Sequence, residues 1–212
     1  VKNLIVSGDI STSNNYAAGI IAYGNSVQIS DCINEVNVTS TGKGSIGGVI
    51  SWLTGTGSKI ENSVNKGNIS GSGTYVGGIT GSLPKGNNIE RCSNEGSVKN
   101  NNKSTGGITG QLAGEINESF NSGTIEGTTN VGGIAGVCSA FSPAAKITNC
   151  YNTGIISGNS LGIGGIIGGL NVKTCLADIK NCYSIGQISA GAAESGGIVG
   201  NGQSKITASN CY

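Results

Sequence analysis

The chain has 212 residues, of which 39 are glycine and only two are proline, and it contains neither histidine nor methionine. A net charge of +1 with 11% charged residues argues against nucleic acid or an anionic membrane surface as a partner. No apolar run approaches the ~20 residues of a membrane-spanning helix. Without histidine, the usual catalytic triads and the His-Glu-x-x-His zinc site are excluded. The sequence therefore predicts no catalytic residue, no metal ligand and no cofactor.

A five-residue glycine signature recurs seven times and sets the period of the chain. Five copies read Gly-Gly-Ile-x-Gly, and two looser copies precede them at residues 18–22 and 47–51. Successive copies begin 26 to 32 residues apart. The second glycine of the signature occupies Gly19, Gly48, Gly78, Gly107, Gly133, Gly165 and Gly197. A fixed period near 30 residues indicates a repeat architecture.

Two further landmarks recur in step with the glycine signature. Most units carry Ile-x-x-Cys or Ile-x-x-Ser, then an Asn, then a glycine closely followed by one more apolar residue. The Asn column consists of Asn34, Asn65, Asn94, Asn121 and Asn152, with Ser184 in the sixth place. Since Asn tolerates the left-handed backbone region, we expect this column at a corner, with its side chains hydrogen-bonded from unit to unit.

Three short apolar segments in each unit, rich in Ile and Val, predict three strands and no helix. The predicted fold is all-β, a right-handed parallel β-helix (β-solenoid) of about seven coils with ~30 residues per coil. Residues 1–212 form a single repeat array, with units beginning near residues 9, 37, 68, 97, 124, 155 and 187. The chain begins without Met and stops midway through a seventh unit, so we expect a fragment of a longer protein with flanking domains.

The motifs resemble the GLUG repeat of large bacterial surface proteins. Residues 132–136 with 147–154, and residues 164–168 with 179–186, carry the resemblance best. Ala22 and Ser51 depart from it, because they replace the last glycine of the signature. GLUG repeats occur in adhesin-like proteins and in non-catalytic regions of some IgA-cleaving zinc metallopeptidases. The resemblance implies an extracellular or cell-surface location and an extended scaffold, and it carries no catalytic residues.

We therefore expect a non-catalytic structural or adhesive segment of a bacterial cell-surface protein, whose parent protein could be a peptidase. It would act as a spacer or as a ligand-binding rod, with a host glycan or surface protein as the possible partner. The alternative is a carbohydrate-active β-helix enzyme, a polysaccharide hydrolase or lyase. Glu61 and Glu90 share one repeat position, so their Cα atoms would lie ~4.8 Å apart in adjacent coils, and Arg91 lies beside them. A retaining glycosidase needs two carboxyl groups ~5–5.5 Å apart. A solvated surface is the simpler interpretation of these three residues.

Aromatic residues form two columns in the repeat. Tyr23 and Trp52 both stand three residues after the signature Ile or Val. They either cover the first coils against a preceding domain, which is the simpler interpretation, or hold a sugar or a peptide. Towards the C-terminus, four residues share another position, which cross-strand stacking explains without a function. These four are Phe120, Tyr151, Tyr183 and Tyr212.

Most of the seven cysteines share one repeat position. That position holds Cys32, Cys92, Cys150, Cys182 and, after a small insertion, Cys211, while Ser63 and Ser119 fill it in two other units. A site that accepts Cys or Ser requires a small buried side chain, so we expect buried, reduced thiols. Cys138 and Cys175 lie outside this column, in the longer segments of adjacent units. A disulfide between them is possible, but the sequence does not determine their Cα separation.

Overall fold

The computed structural model describes residues 1–140, 144–170, 175–191, 194–202 and 205–212, and within these ranges all regular structure is β-strand. The strands form four parallel sheets, each running through the stacked coils. The predicted parallel β-solenoid of about seven coils is confirmed. At ~4.8 Å per coil the rod is about 35 Å long.

The first sheet contains twelve strands, because most coils contribute two short strands to it. These short strands stack into two columns. Two long strands at the N-terminal end span both columns: β1 (Ile5–Thr12) and β5 (Ile33–Ser40). One column then continues with β9 (Val64–Asn65), β14 (Ser93–Asn94), β19 (Phe120–Asn121), β24 (Tyr151–Asn152) and β29 (Tyr183–Ser184). The other continues with β10 (Ile69–Gly71), β15 (Val98–Asn100), β20 (Ile125–Gly127), β25 (Ile156–Gly158) and β30 (Ile188–Ala190).

The other three sheets contain seven strands each. The second sheet consists of β2 (Tyr16–Ala18), β6 (Ser45–Gly47), β11 (Tyr75–Gly77), β16 (Ser104–Gly106), β21 (Val131–Gly132), β26 (Ile163–Gly164) and β31 (Ser195–Gly196). The third consists of β3 (Ile21–Asn25), β7 (Ile50–Thr54), β12 (Thr80–Leu83), β17 (Thr109–Leu112), β22 (Ala135–Cys138), β27 (Ile167–Leu170) and β32 (Val199–Asn201). The fourth consists of β4 (Gln28–Ser30), β8 (Lys59–Glu61), β13 (Asn88–Glu90), β18 (Glu115–Asn117), β23 (Ala145–Thr148), β28 (Leu176–Lys180) and β33 (Lys205–Ser209).

The prediction of three sheets is wrong, because the glycine signature itself contains a corner. In the third coil, β11 ends at Gly77 and β12 begins at Thr80, so the signature is divided between the second and third sheets. The residue before the signature, such as Val76, is buried in the core. This fourth apolar position was readable in the sequence at Ile46, Val76, Val131 and Ile163.

The interior contains two apolar clusters with the Asn column between them. One cluster is built from the third and fourth sheets and the cysteine column, and the other from the first and second sheets. Asn94 is fully buried, donates to the side-chain oxygen of Asn121 at 2.7 Å and to the Gly96 carbonyl at 2.8 Å, and accepts from Asn65 at 2.7 Å. The unit-to-unit hydrogen bonding predicted for this column is confirmed. The polar column is satisfied internally, so its burial is compatible with stability.

The left-handed corner lies three residues before the Asn column, so its predicted place is wrong. Residues there have φ of 47° to 55°, and they join the fourth sheet to the first. They are Asp31, Asn62, Arg91, Glu118, Asn149, Asn181 and Asn210. Asn predominates because it tolerates this backbone conformation better than most residues do. The column of Asn94 instead serves the interior hydrogen bonds.

Candidate functional site

Three aromatic side chains form a cluster on the surface of the first two coils. Tyr23 lies in register with Trp52 on the third sheet, as the repeat predicts. Tyr16, from the second sheet, joins them across the corner: its ring centroid lies 5.9 Å from that of Tyr23 and 5.7 Å from that of Trp52. We call Tyr16, Tyr23 and Trp52 the aromatic cluster. The repeat pattern of Tyr23 and Trp52 did not predict Tyr16, although Tyr75 occupies the equivalent position three residues before the second glycine of the signature.

The rings of the aromatic cluster are tilted against one another and open to solvent. The interplanar angles are 63° and 41°, and Tyr23 and Tyr16 expose 56% and 40% of their surface. Tilted rings leave part of each face uncovered. Such a surface offers apolar faces together with two phenolic hydroxyls and an indole N–H, which suits a ligand with both C–H and O–H groups. A sugar has this chemistry.

The C-terminal ring column has a different geometry. Neighbouring rings lie 4.9 to 5.4 Å apart with interplanar angles of 0° to 8°, so each interior ring is sandwiched between its neighbours. The predicted stacking is confirmed. Because ring faces inside the column are covered, its rings offer mainly edges to a ligand. Tyr212, at the end of the column, is 77% exposed.

The predicted charged group, Glu61, Glu90 and Arg91, comes together on the fourth sheet with Lys59. Glu61 and Glu90 are in register, as predicted. Lys59 Nζ lies 2.8 Å from a Glu61 carboxylate oxygen and 3.0 Å from one of Glu90. Arg91 contacts Glu90 directly and lies 3.2 Å from Glu61. Each carboxylate is therefore paired with both cations.

This pairing is the opposite of what a glycosidase needs. A glycosidase requires one carboxyl group whose pKa is raised so that it stays protonated. Hydrogen bonds from Lys59 and then from Arg91 instead lower the pKa of Glu90, and Glu61 and Glu90 raise the pKa of Lys59. A surface ion-pair network accounts for these residues.

A shallow depression of about 320 Å³ lies beside this network on the fourth sheet. Its charged lining includes Glu90, Glu115 and Lys146. Lys146 Nζ lies 2.8 Å from a Glu115 carboxylate oxygen, and that contact raises the pKa of Lys146. The lysine is held as a cation paired with its carboxylate, so it does not provide a basic amine for catalysis.

The predicted burial of the cysteine column is confirmed. Cys32, Cys92, Cys150 and Cys182 expose 1% of their surface or less, and Cys211 is partly exposed. Each thiol donates to the carbonyl two residues before it, as Ser63 and Ser119 also do. Burial raises the pKa of the Cys92 thiol to about 12, so this thiol is unreactive in the folded state.

The described ranges contain neither a cluster of metal ligands nor a membrane-spanning helix. No three His, Cys, Asp or Glu side chains of those ranges come together as a metal site would require. The same ranges contain no helix of the length and apolar character needed to cross a membrane.

Comparison with known proteins identifies one structural relative. The chain resembles a crystal structure of a putative immunoglobulin A1 protease from Bacteroides ovatus, with a TM-score of 0.66 and 23% sequence identity. The match covers 92% of this chain and 69% of that one. The two proteins share a fold. No protein-family model and no curated protein matches the chain.

Proposed function

We propose that this chain is a non-catalytic rod of a bacterial cell-surface protein, which holds a glycan-binding aromatic cluster away from the surface. The observation that carries the proposal is the arrangement of the exposed Tyr16 and Tyr23 rings beside the half-buried Trp52. Binding proteins use tilted, partly exposed rings to contact the C–H faces of a ligand while hydroxyls satisfy its polar groups. The coils beneath supply a rigid base for the cluster.

The spacer part of the proposal rests on the continuity of the interior. Each coil contacts its neighbours through all four sheets, and the Asn and Ile columns pass from coil to coil. A solenoid of this kind resists bending, because neighbouring coils are paired in all four sheets. Such a rod is suited to holding the aromatic cluster at a distance from the cell surface.

The extracellular location and the parent protein belong to the same proposal. The GLUG-like motifs and the shared fold with the Bacteroides protein support a repeat region of a large surface protein. An immunoglobulin A1 protease is one kind of parent that would fit, with its catalytic centre in a flanking domain. The partner of the aromatic cluster would then be a host glycan, or a glycan carried by a surface protein.

A glycan array probed with the purified chain tests the proposal. We expect selective binding to a few neutral glycans, and a loss of about fivefold or more in affinity in Trp52→Ala, since a stacked aromatic contributes on the order of 1–3 kcal/mol. Tyr212→Ala is the matched control, because it removes an exposed ring at the other end of the rod, and it should bind normally. Absence of glycan binding, or equal binding by Trp52→Ala, would overturn the glycan proposal.

Polysaccharide turnover separates this function from the alternative enzyme. We expect no release of oligosaccharides or unsaturated products from polysaccharides incubated with the chain, because both carboxylates are held as ion pairs. Turnover that disappears in Glu61→Gln or Glu90→Gln would replace the proposed binding rod with a carbohydrate-active enzyme.

A further inference from the structure

We propose that Cys138 and Cys175 form a disulfide that clips two adjacent coils together. Their Sγ atoms lie 3.0 Å apart, and both side chains are fully buried. A disulfide needs its sulfurs at about 2.05 Å, so the two sulfurs stand about 1 Å from bonding distance. The pair is independent of the aromatic cluster and lies at the other end of the rod.

The backbone around the pair brings the two coils side by side. Cys138 ends β22 and Cys175 directly precedes β28. The Leu176 amide donates to the Ala140 carbonyl at 2.8 Å, and the Cys138 thiol lies 3.5 Å from the Leu176 carbonyl oxygen. Bonds between the coils therefore fix the backbone on the C-terminal side of both cysteines.

These two cysteines differ from those of the repeat column. In the column, Cys150 and Cys182 each donate to a carbonyl of their own coil at 3.1 Å, the bond that Ser63 and Ser119 make in other coils. The Cys138 and Cys175 sulfurs lie 3.0 Å apart, outside the column. The Cys150 and Cys182 thiols also contact each other, so a Cys150–Cys182 link is the competing outcome. In the sequence, six residues separate β22 from β23 and five separate β27 from β28, whereas two separate β17 from β18.

The Cys138–Cys175 disulfide would form by ordinary thiol–disulfide exchange. One cysteine thiolate attacks a disulfide such as oxidised glutathione, and one glutathione thiol leaves. The second cysteine, after losing its proton, attacks the mixed disulfide and releases the second glutathione thiol. Two electrons and two protons pass to the oxidant. Contact with Cys175 and burial raise the pKa of the Cys138 thiol, so we place the exchange during folding, before the two coils close.

Refolding in a glutathione redox buffer, followed by alkylation and tryptic mass spectrometry, tests the disulfide. Trypsin separates the cysteines: residues 104–146 contain Cys138 alone, residues 174–180 contain Cys175 alone, and residues 147–173 and 181–205 contain Cys150 and Cys182. The expected result is one linked pair, between the first two peptides, with the remaining cysteines alkylated. Full alkylation of all seven cysteines, or a link that uses Cys150 or Cys182, would refute the proposal.

Thermal unfolding of the same samples gives a second readout. A cross-link over a 37-residue separation restrains the unfolded chain, so oxidised wild-type protein should unfold about 5 °C or more above its reduced form. Cys150→Ser, a change that the column already tolerates at Ser63 and Ser119, should keep both the link and the shift. Cys138→Ser and Cys175→Ser should abolish them. A shift that survives in either of these two variants would contradict the assignment.

Discussion

At the scale of single residues, a local backbone or hydrogen-bond requirement explains which residue type a repeat position favours. The left-handed corner favours Asn, as at Asn62 and Asn149, and the cysteine column favours a small donor that reaches a carbonyl. Thr105 is the exception within the described ranges. Its hydroxyl is buried and has no hydrogen-bond partner. Its neighbours in register are Val76 and Val131, so the position requires only an apolar side chain.

Thr105→Val should therefore stabilise the protein. The substitution keeps the shape of the side chain and removes an unpaired hydroxyl, for a gain of about 1 kcal/mol in the free energy of unfolding. Thr109→Val is the control, because the Thr109 hydroxyl is also buried but donates to the Gln111 carbonyl at 2.9 Å. It should lose about 1 kcal/mol. Denaturant unfolding measures both, and a loss of stability in Thr105→Val would contradict this account.

At the scale of the elements, the corner inside the glycine signature packs against the Asn column, and this contact determines which residue the second signature position accepts. A Cβ atom at Gly78 would overlap the Gly107 carbonyl oxygen and the side chain of Asn94. In the first five coils the second glycine is required because the Asn column passes directly against it, and Ser184 takes the place of Asn against Gly165. Glycine here serves close approach, since its φ is not in the left-handed region.

Gly78→Ala and Gly197→Ala make a matched pair at the same repeat position. Gly197, in the last coil, has no heavy atom within 4 Å of a built Cβ. We expect Gly78→Ala to lose roughly 3 kcal/mol or more through overpacking, and Gly197→Ala to change stability by no more than about 1 kcal/mol. Unfolding midpoints in guanidinium chloride measure the difference. Equal effects at the two positions would show that the close approach at the Asn column does not set the glycine requirement.

At the scale of the whole molecule, stability is a sum over neighbouring coils. Each interior coil is covered by a neighbouring coil on both sides. The strands of the last coil, β30 to β33, are only partly buried or exposed. The aromatic cluster lies on the first two coils, where Tyr23 and Trp52 are in register. The rod is therefore most strongly held in its middle, and the aromatic cluster lies near its N-terminal end.

The period alone predicts the coils, their parallel stacking and the buried columns, because each inward position repeats with the same residue type. It does not predict the corner inside the glycine signature, since that bend depends on the Asn column packing against Gly78. The same corner brings Tyr16 to Tyr23 and Trp52, so the period did not predict Tyr16 as part of the candidate site. The sequence indicates Cys138 and Cys175 as a possible pair, but it does not determine the distance between them.

The fluorescence of Trp52 tests whether the aromatic cluster binds a glycan. It is the only tryptophan of the chain, so its emission reports on the aromatic cluster alone. Titration with a glycan selected on the array should change the emission saturably, with the dissociation constant found by calorimetry, and Tyr23→Ala should weaken that binding about tenfold. Glycan binding by calorimetry that leaves Trp52 emission unchanged, with the same affinity in Tyr23→Ala, would place the ligand elsewhere and contradict the account.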